Sequence, residues 1–183
     1  MENVLNKLRG GDRRSIGGVS EVAADVLNDP TLFDTVFHGM LGDDPVVRMR
    51  AADAVEKITA EHPEYLQPYR QELIGRVARV DQQEVRWHVA QMLPRLEWSA
   101  EEHAAVVEIL LGYLDDGSKI VKTFTMQALA DFAERDVSLQ PQVVQWLEEL
   151  TETGSPAMQS RGRRLLQRLE RLSPITNQEG AES

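Results

Sequence analysis

The sequence predicts an all-α fold built as a row of about five helical hairpins. Three observations carry this expectation. A pattern of apolar run, polar turn and second apolar run recurs along the chain. The recurring apolar positions share one helical face. The apolar content is aliphatic, with 42 % hydrophobic residues of which aromatics make up only 5 % of the chain. Large β-sandwiches draw more heavily on β-branched and aromatic residues in strict alternation.

The turns set the frame of the repeat. Four junctions are alike: Met40-Leu41-Gly42-Asp43-Asp44-Pro45, Val80-Asp81-Gln82-Gln83-Glu84, Leu114-Asp115-Asp116-Gly117-Ser118 and Leu150-Thr151-Glu152-Thr153-Gly154-Ser155-Pro156. Asp44 and Ser155 are placed to accept from the free N–H groups of a helix start, and the prolines after them suit the first helical position. Asp81 with Glu84 and Ser99 with Glu102 have the spacing of a capping box.

Aligning the second helices puts Val47, Val85, Val121 and Met158 at one position, 38, 36 and 37 residues apart. Eight residues on stand Val55, Leu93, Leu129 and Leu166, and eleven on Ile58, Leu96, Phe132 and Leu169. With the fourth residue on, these offsets fall on one face of a helix and define a core stripe. A degenerate first unit fits from Ser15, with Val19, Ala23 and Val26 following. The predicted helices cover approximately 2–9, 15–28, 31–41, 45–60, 66–80, 82–96, 99–114, 118–134, 139–153 and 156–172, and Pro94 should end or kink its helix. Gly10-Gly11 reads as a loop and Gly17-Gly18 as a close packing contact. Residues 1–172 are expected to form the repeat domain, and 173–183, with little to bury, a disordered tail.

The stretch from Leu32 to Ile58, LFDTVFHGMLGDDPVVRMRAADAVEKI, resembles a HEAT repeat. Its marks are the apolar first helix, the turn aspartates, Val47-Arg48 at the second helix start and the small Ala51 and Ala52. Val85-Arg86 and Val121-Lys122 repeat the pair, whereas Met158-Gln159 departs from it. The resemblance implies a right-handed, armadillo-like α-solenoid whose second helices line a concave face. It also implies a ladder in which Arg86 pairs with Asp44, and Lys122 with Asp81, of the preceding unit.

Composition narrows the function. The chain has no cysteine, which excludes thiolate zinc sites and thiol catalysis and fits a reducing compartment. The opening MENVLNKLRGGDRR has no signal-type apolar stretch, and no run approaches the length of a membrane span, so a cytoplasmic chain is expected. A net charge of −10 disfavours nucleic acid as a partner. His38, His62, His88 and His103 show no metal-ligand spacing along the chain. In Glu101-Glu102-His103 adjacent residues point to different sides of a helix. No catalytic, cofactor or metal residue is therefore assigned.

Positions pointing away from the core stripe suggest a groove lined by Met49, Arg50, Trp87, His88, Phe124, Arg161, Arg164 and Arg168. Helix 156–172 carries a net charge of +4 and helix 139–153 one of −3. Exposed Trp, Met and Arg are enriched at interfaces. The expected function is that of a non-enzymatic scaffold or adaptor binding a protein partner with an acidic segment, its oligomeric state left open. Two alternatives come from the resemblance alone: DNA glycosylases of the alkylpurine type, and subunits similar to bilin lyases. In the former a catalytic Asp follows a Trp by one helical turn, and here Trp87 is followed at that spacing by Gln91.

Overall fold

The computed structural model describes residues 4–11 and 15–172, which are helical with no strand among them. The expected tail beyond 172 lies outside the described residues, as does the start of the first expected helix. Nine α-helices are present among the described residues: α1 Val19–Asn28, α2 Phe33–Gly39, α3 Pro45–Glu61, α4 Arg70–Gly75, α5 Gln83–Met92, α6 Ala100–Leu114, α7 Lys119–Arg135, α8 Gln140–Thr153 and α9 Pro156–Leu172. Short 3-10 turns precede or follow several of them. No described helix is long and apolar enough to cross a membrane.

Local chemistry explains most boundaries. Asp44 caps α3, its carboxylate accepting from Val46 N at 2.8 Å and Val47 N at 3.4 Å, with Pro45 at the first position. Ser155 accepts from Met158 N at the start of α9. Ser99 and Glu102 form a complete capping box on α6. The Asp81–Glu84 box does not form: α5 starts one residue later, after Gln82, and Glu84 is buried. Asp81 turns to Arg86 instead, at 2.9 Å. Helix α5 ends at Met92, before Pro94, as a proline without an N–H requires.

By backbone contacts the chain falls into two units, Met1–Ala128 and Leu129–Ser183, the division passing through α7. In the first unit α3 packs against α1, α2 and α5, and α4 meets α6. The stripe residues Val47, Val55, Ile58, Val85, Leu93, Leu96 and Val121 are buried. Val19 and Val26, of the first unit expected from the sequence, are buried too, whereas Ser15 is exposed and precedes α1. Phe33, Phe37 and Tyr69 form an aromatic knot between α2 and the 63–69 turn, with centroids 4.4 to 6.3 Å apart. In the second unit α8 and α9 pack on each other through Val143, Leu147, Met158, Leu165 and Leu169. Leu166, expected in the core, is half-buried and Leu165 takes its place. At 100° per residue Leu165 and Leu169 flank Met158 within about 20°, while Leu166 lies about 80° away.

Two expectations about arginine are corrected. Arg50 was expected to line an open groove, yet it is 2 % exposed. Its guanidinium donates to the carbonyls of Leu8 at 2.8 Å, Gly10 at 2.6 Å and Ser15 at 3.0 Å, closing the N-terminal segment over α3. Gly17 beside it is explained by the same contact, and Gly18 by the Lys7 backbone. Gly17 has φ +52, and a Cβ there would lie 2.8 Å from Arg50 Cζ. A Cβ on Gly18 would lie 2.6 Å from Lys7 O, so the pair is the close packing contact the sequence suggests.

The basic ladder exists with its direction reversed. Arg86 reaches forward to Asp116 of the following turn at 2.6 Å, and Arg48 to Gln82 Oε1 at 2.8 Å. Asp44 is spent on its cap, and Asp81 pairs with Arg86 of its own unit rather than with Lys122. Each arginine also donates back to a carbonyl of its own turn: Gly42 and Asp43 for Arg48, Val80 for Arg86. Burial alone would raise the Asp116 carboxyl. Hydrogen bonds from Ser118 N–H and Arg86, with the nearby charge of Lys122, outweigh it and hold the group below its ordinary 3.8.

Two outcomes follow for stability. Arg50→Ala should cost about 3 kcal/mol in chemical denaturation, because buried carbonyls lose a charged donor. Arg50→Lys should recover little, since one ammonium cannot span three carbonyls. A loss below about 1 kcal/mol for Arg50→Ala would contradict the clamp. Asp116 has a depressed folded-state pKa, so its contribution is present above pH 3.8 and lost as pH falls through the folded value. Asp116→Asn should cost about 1–2 kcal/mol at pH 7 and make stability less steep below pH 4; an unchanged acid profile would count against the pair.

Candidate functional site

The residues expected to share one groove fall in both units. In the first unit Met49 and Arg50 are buried, and Trp87, His88 and Phe124 are half-buried. Met49 is covered because α3 has neighbours in α1, α2 and α5, so its buried arc is wider than the single stripe. It is not available as an exposed apolar anchor.

What the first unit does assemble is a polar cluster on the seam between α3 and α5. Asp53 and Glu56, one turn apart on α3, face His88 of α5. One ligand atom from each lies within 4.8 Å of the others, and all three residues are half-buried. The helical spacing explains the carboxylate pair, since residues three apart on a helix are neighbours. The stacking of α3 on α5 supplies the imidazole.

Two cations frame the cluster. Lys57 pairs with Asp53 one turn along the same helix. Arg95, just past the end of α5, pairs with Glu56 and also donates to Glu56 O at 2.7 Å and Thr59 Oγ1 at 2.9 Å. Burial pushes the His88 ring down from its ordinary 6.5 to about 4; the charges of Asp53 and Glu56 oppose this, while Lys57 and Arg95 add to it. The imidazole is therefore neutral at pH 7. Its Nδ1 is buried and makes no hydrogen bond among the described residues. The Trp87 ring stands 5.7 Å from the His88 ring.

One turn after Trp87, Gln91 donates its amide to the Trp87 carbonyl at 3.1 Å. Gln91 is thus a neutral side chain bonded to its own helix.

In the second unit Arg168 is a structural cation. It meets Asp131 at 2.7 Å and Glu134 at 2.5 Å on α7. Arg161 is half-buried and Arg164 exposed. With Arg171, these four fall within about 80° on α9 at 100° per residue. Arg163, Arg164 and Arg171 are exposed and make no ion pair among the described residues. On α8, Glu148, Glu149 and Glu152 are exposed.

Residue spacing alone had given no metal-ligand set, and two of its groove residues are buried. The missed signal was the pair Asp53 and Glu56 combined with the repeat register. His88 stands three residues after Val85, and Asp53 six after Val47, so the two occupy neighbouring positions on stacked helices.

Removing Arg95 as Arg95→Ala should cost about 2 kcal/mol, because Glu56 loses its charged partner and the end of α3 its donor. Gln91→Ala should stay within about 0.5 kcal/mol, its only hydrogen bond being to its own helix. Equal losses in thermal unfolding would show that the seam is not held by Arg95.

Comparison with protein-family models, with curated proteins and with solved structures gives no significant match to this chain.

Proposed function

We propose that the chain is a non-enzymatic helical-repeat scaffold, a right-handed solenoid of HEAT-like and armadillo-like type, that binds a protein partner through an acidic segment of that partner. The observation that carries this reading is the exposed arginine set of α9. Arg163, Arg164 and Arg171 stand free of ion pairs among the described residues, on a chain whose net charge is −10. Structural arginines in this molecule are half-buried or buried and bonded, as Arg48, Arg50, Arg86, Arg95 and Arg168 are. Arg163, Arg164 and Arg171 of α9 are exposed and are not used in that way. Arginine presents a planar fork of donors matched to carboxylates.

The scaffold part of the reading rests on the successive packing of α1, α3 and α5 and on the repeated arginine bonds between consecutive turns. Such arrays hold a long face rigid, and partners bind along it.

The test uses immobilised full chain and an Arg164→Glu/Arg171→Glu variant, exposed to native extract. A partner held by α9 should be retained by the parent and lost from the variant. With that partner purified, the affinity ratio between parent and variant should shrink as salt rises, because exposed charges are screened within ~8–10 Å at physiological ionic strength. Equal retention by both forms would remove α9 as the recognition surface.

A further inference from the structure

We propose that Asp53, Glu56 and His88 form a binding site for one divalent first-row transition-metal ion, with Zn²⁺ the best-matched ion and water completing its coordination. Three features of the α3–α5 seam carry this. The donor set is right: one imidazole and two carboxylates are ligands that zinc takes in tetrahedral sites, at roughly 2.0–2.2 Å. The imidazole distinguishes such an ion from Mg²⁺ or Ca²⁺, which prefer oxygen alone.

The spacing is right as well. Ligand atoms already within 4.8 Å of one another need only small side-chain rotations to converge on one ion. They come from two packed helices rather than from a loop, so the backbone under them is fixed.

The third feature is the state of His88. It makes no hydrogen bond among the described residues, and its Nδ1 is closed off from water. A buried polar atom without a partner is uncommon and asks for a reason.

Both carboxylates already have cations. Their geometry makes them replaceable. The Lys57 side chain is 43 % exposed, so its ammonium can return to water when Asp53 turns to an ion. Arg95 keeps Glu56 O and Thr59 Oγ1 when it releases the Glu56 carboxylate, so the guanidinium is not left bare. The two cations therefore compete with a metal for the same oxygens, and they fill the role of placeholders in its absence.

The experiment is isothermal titration of ZnCl₂ into chelator-treated full chain, with MnCl₂ and MgCl₂ as comparison ions. One Zn²⁺ per chain is expected, with Mg²⁺ binding at least a hundredfold more weakly. His88→Gln and Asp53→Asn should each weaken Zn²⁺ binding tenfold or more. Lys57→Met removes a competitor and should tighten it severalfold, an effect opposite in sign to any loss of folding. His38→Gln serves as the control for a different imidazole, one that lies 3.1 Å from Glu72 and 2.8 Å from Asp34 O, and it should change affinity less than twofold. Absence of binding by both the parent and Lys57→Met would overturn the proposal. So would binding lost with His38→Gln and kept with His88→Gln, or affinity unchanged by Lys57→Met.

Discussion

The register of α3 against α5 is the constraint on which the rest of the first unit depends. The apolar stripe presses the two helices together, but hydrophobic contact is non-directional and would tolerate sliding. Directional bonds at both ends remove that freedom. At the start, Arg48 donates to Gln82, and Gln82 donates to Pro45 O at 2.9 Å. At the far end, Arg95 holds Glu56 O and Thr59 Oγ1. Between these pins, Asp53, Glu56 and His88 have no choice but to meet.

The same device recurs with different partners. Arg86 binds the turn that follows it through Asp116 and stacks over Tyr113, whose ring centroid is 5.8 Å away. Tyr113 in turn donates to Ala78 O at 2.7 Å, tying α6 to the turn before α5. Arg50 works in the opposite direction, closing the N-terminal segment onto α3. The arginines of the first unit thus act as long-range staples between helices and backbone, a use suited to a donor with five N–H groups in a fixed fork. It also explains how a chain with few aromatic residues specifies its helix stacking.

Much of this was legible in the sequence. The 36–38 residue recurrence, the stripe through Val47, Val85 and Val121, the caps at Asp44, Ser99 and Ser155 and the stop at Pro94 all depend on local chemistry, and local chemistry is written in neighbouring residues. The direction of the arginine ladder was not legible, because Arg86 has aspartates within reach both before and after it. The burial of Met49 and Arg50 was hidden for a related reason. Arg50 is covered by the N-terminal segment, whose glycine-rich pattern reads as a weak repeat until Arg50 is seen to fill it, and Met49 lies on a helix packed against α1, α2 and α5. The cluster on the α3–α5 seam joins residues about 35 positions apart, and only the three-dimensional register brings a lone histidine to a pair of carboxylates.

The most direct test is a solution measurement of that register. Nuclear Overhauser contacts from the His88 ring protons in the metal-free chain should reach the side-chain protons of Asp53 and Glu56, with Arg95 contacts to Thr59 at the other end. Contacts from the Trp87 or Val89 side chain to Asp53 in place of His88 would show α5 rotated by one residue against α3, and would contradict the account.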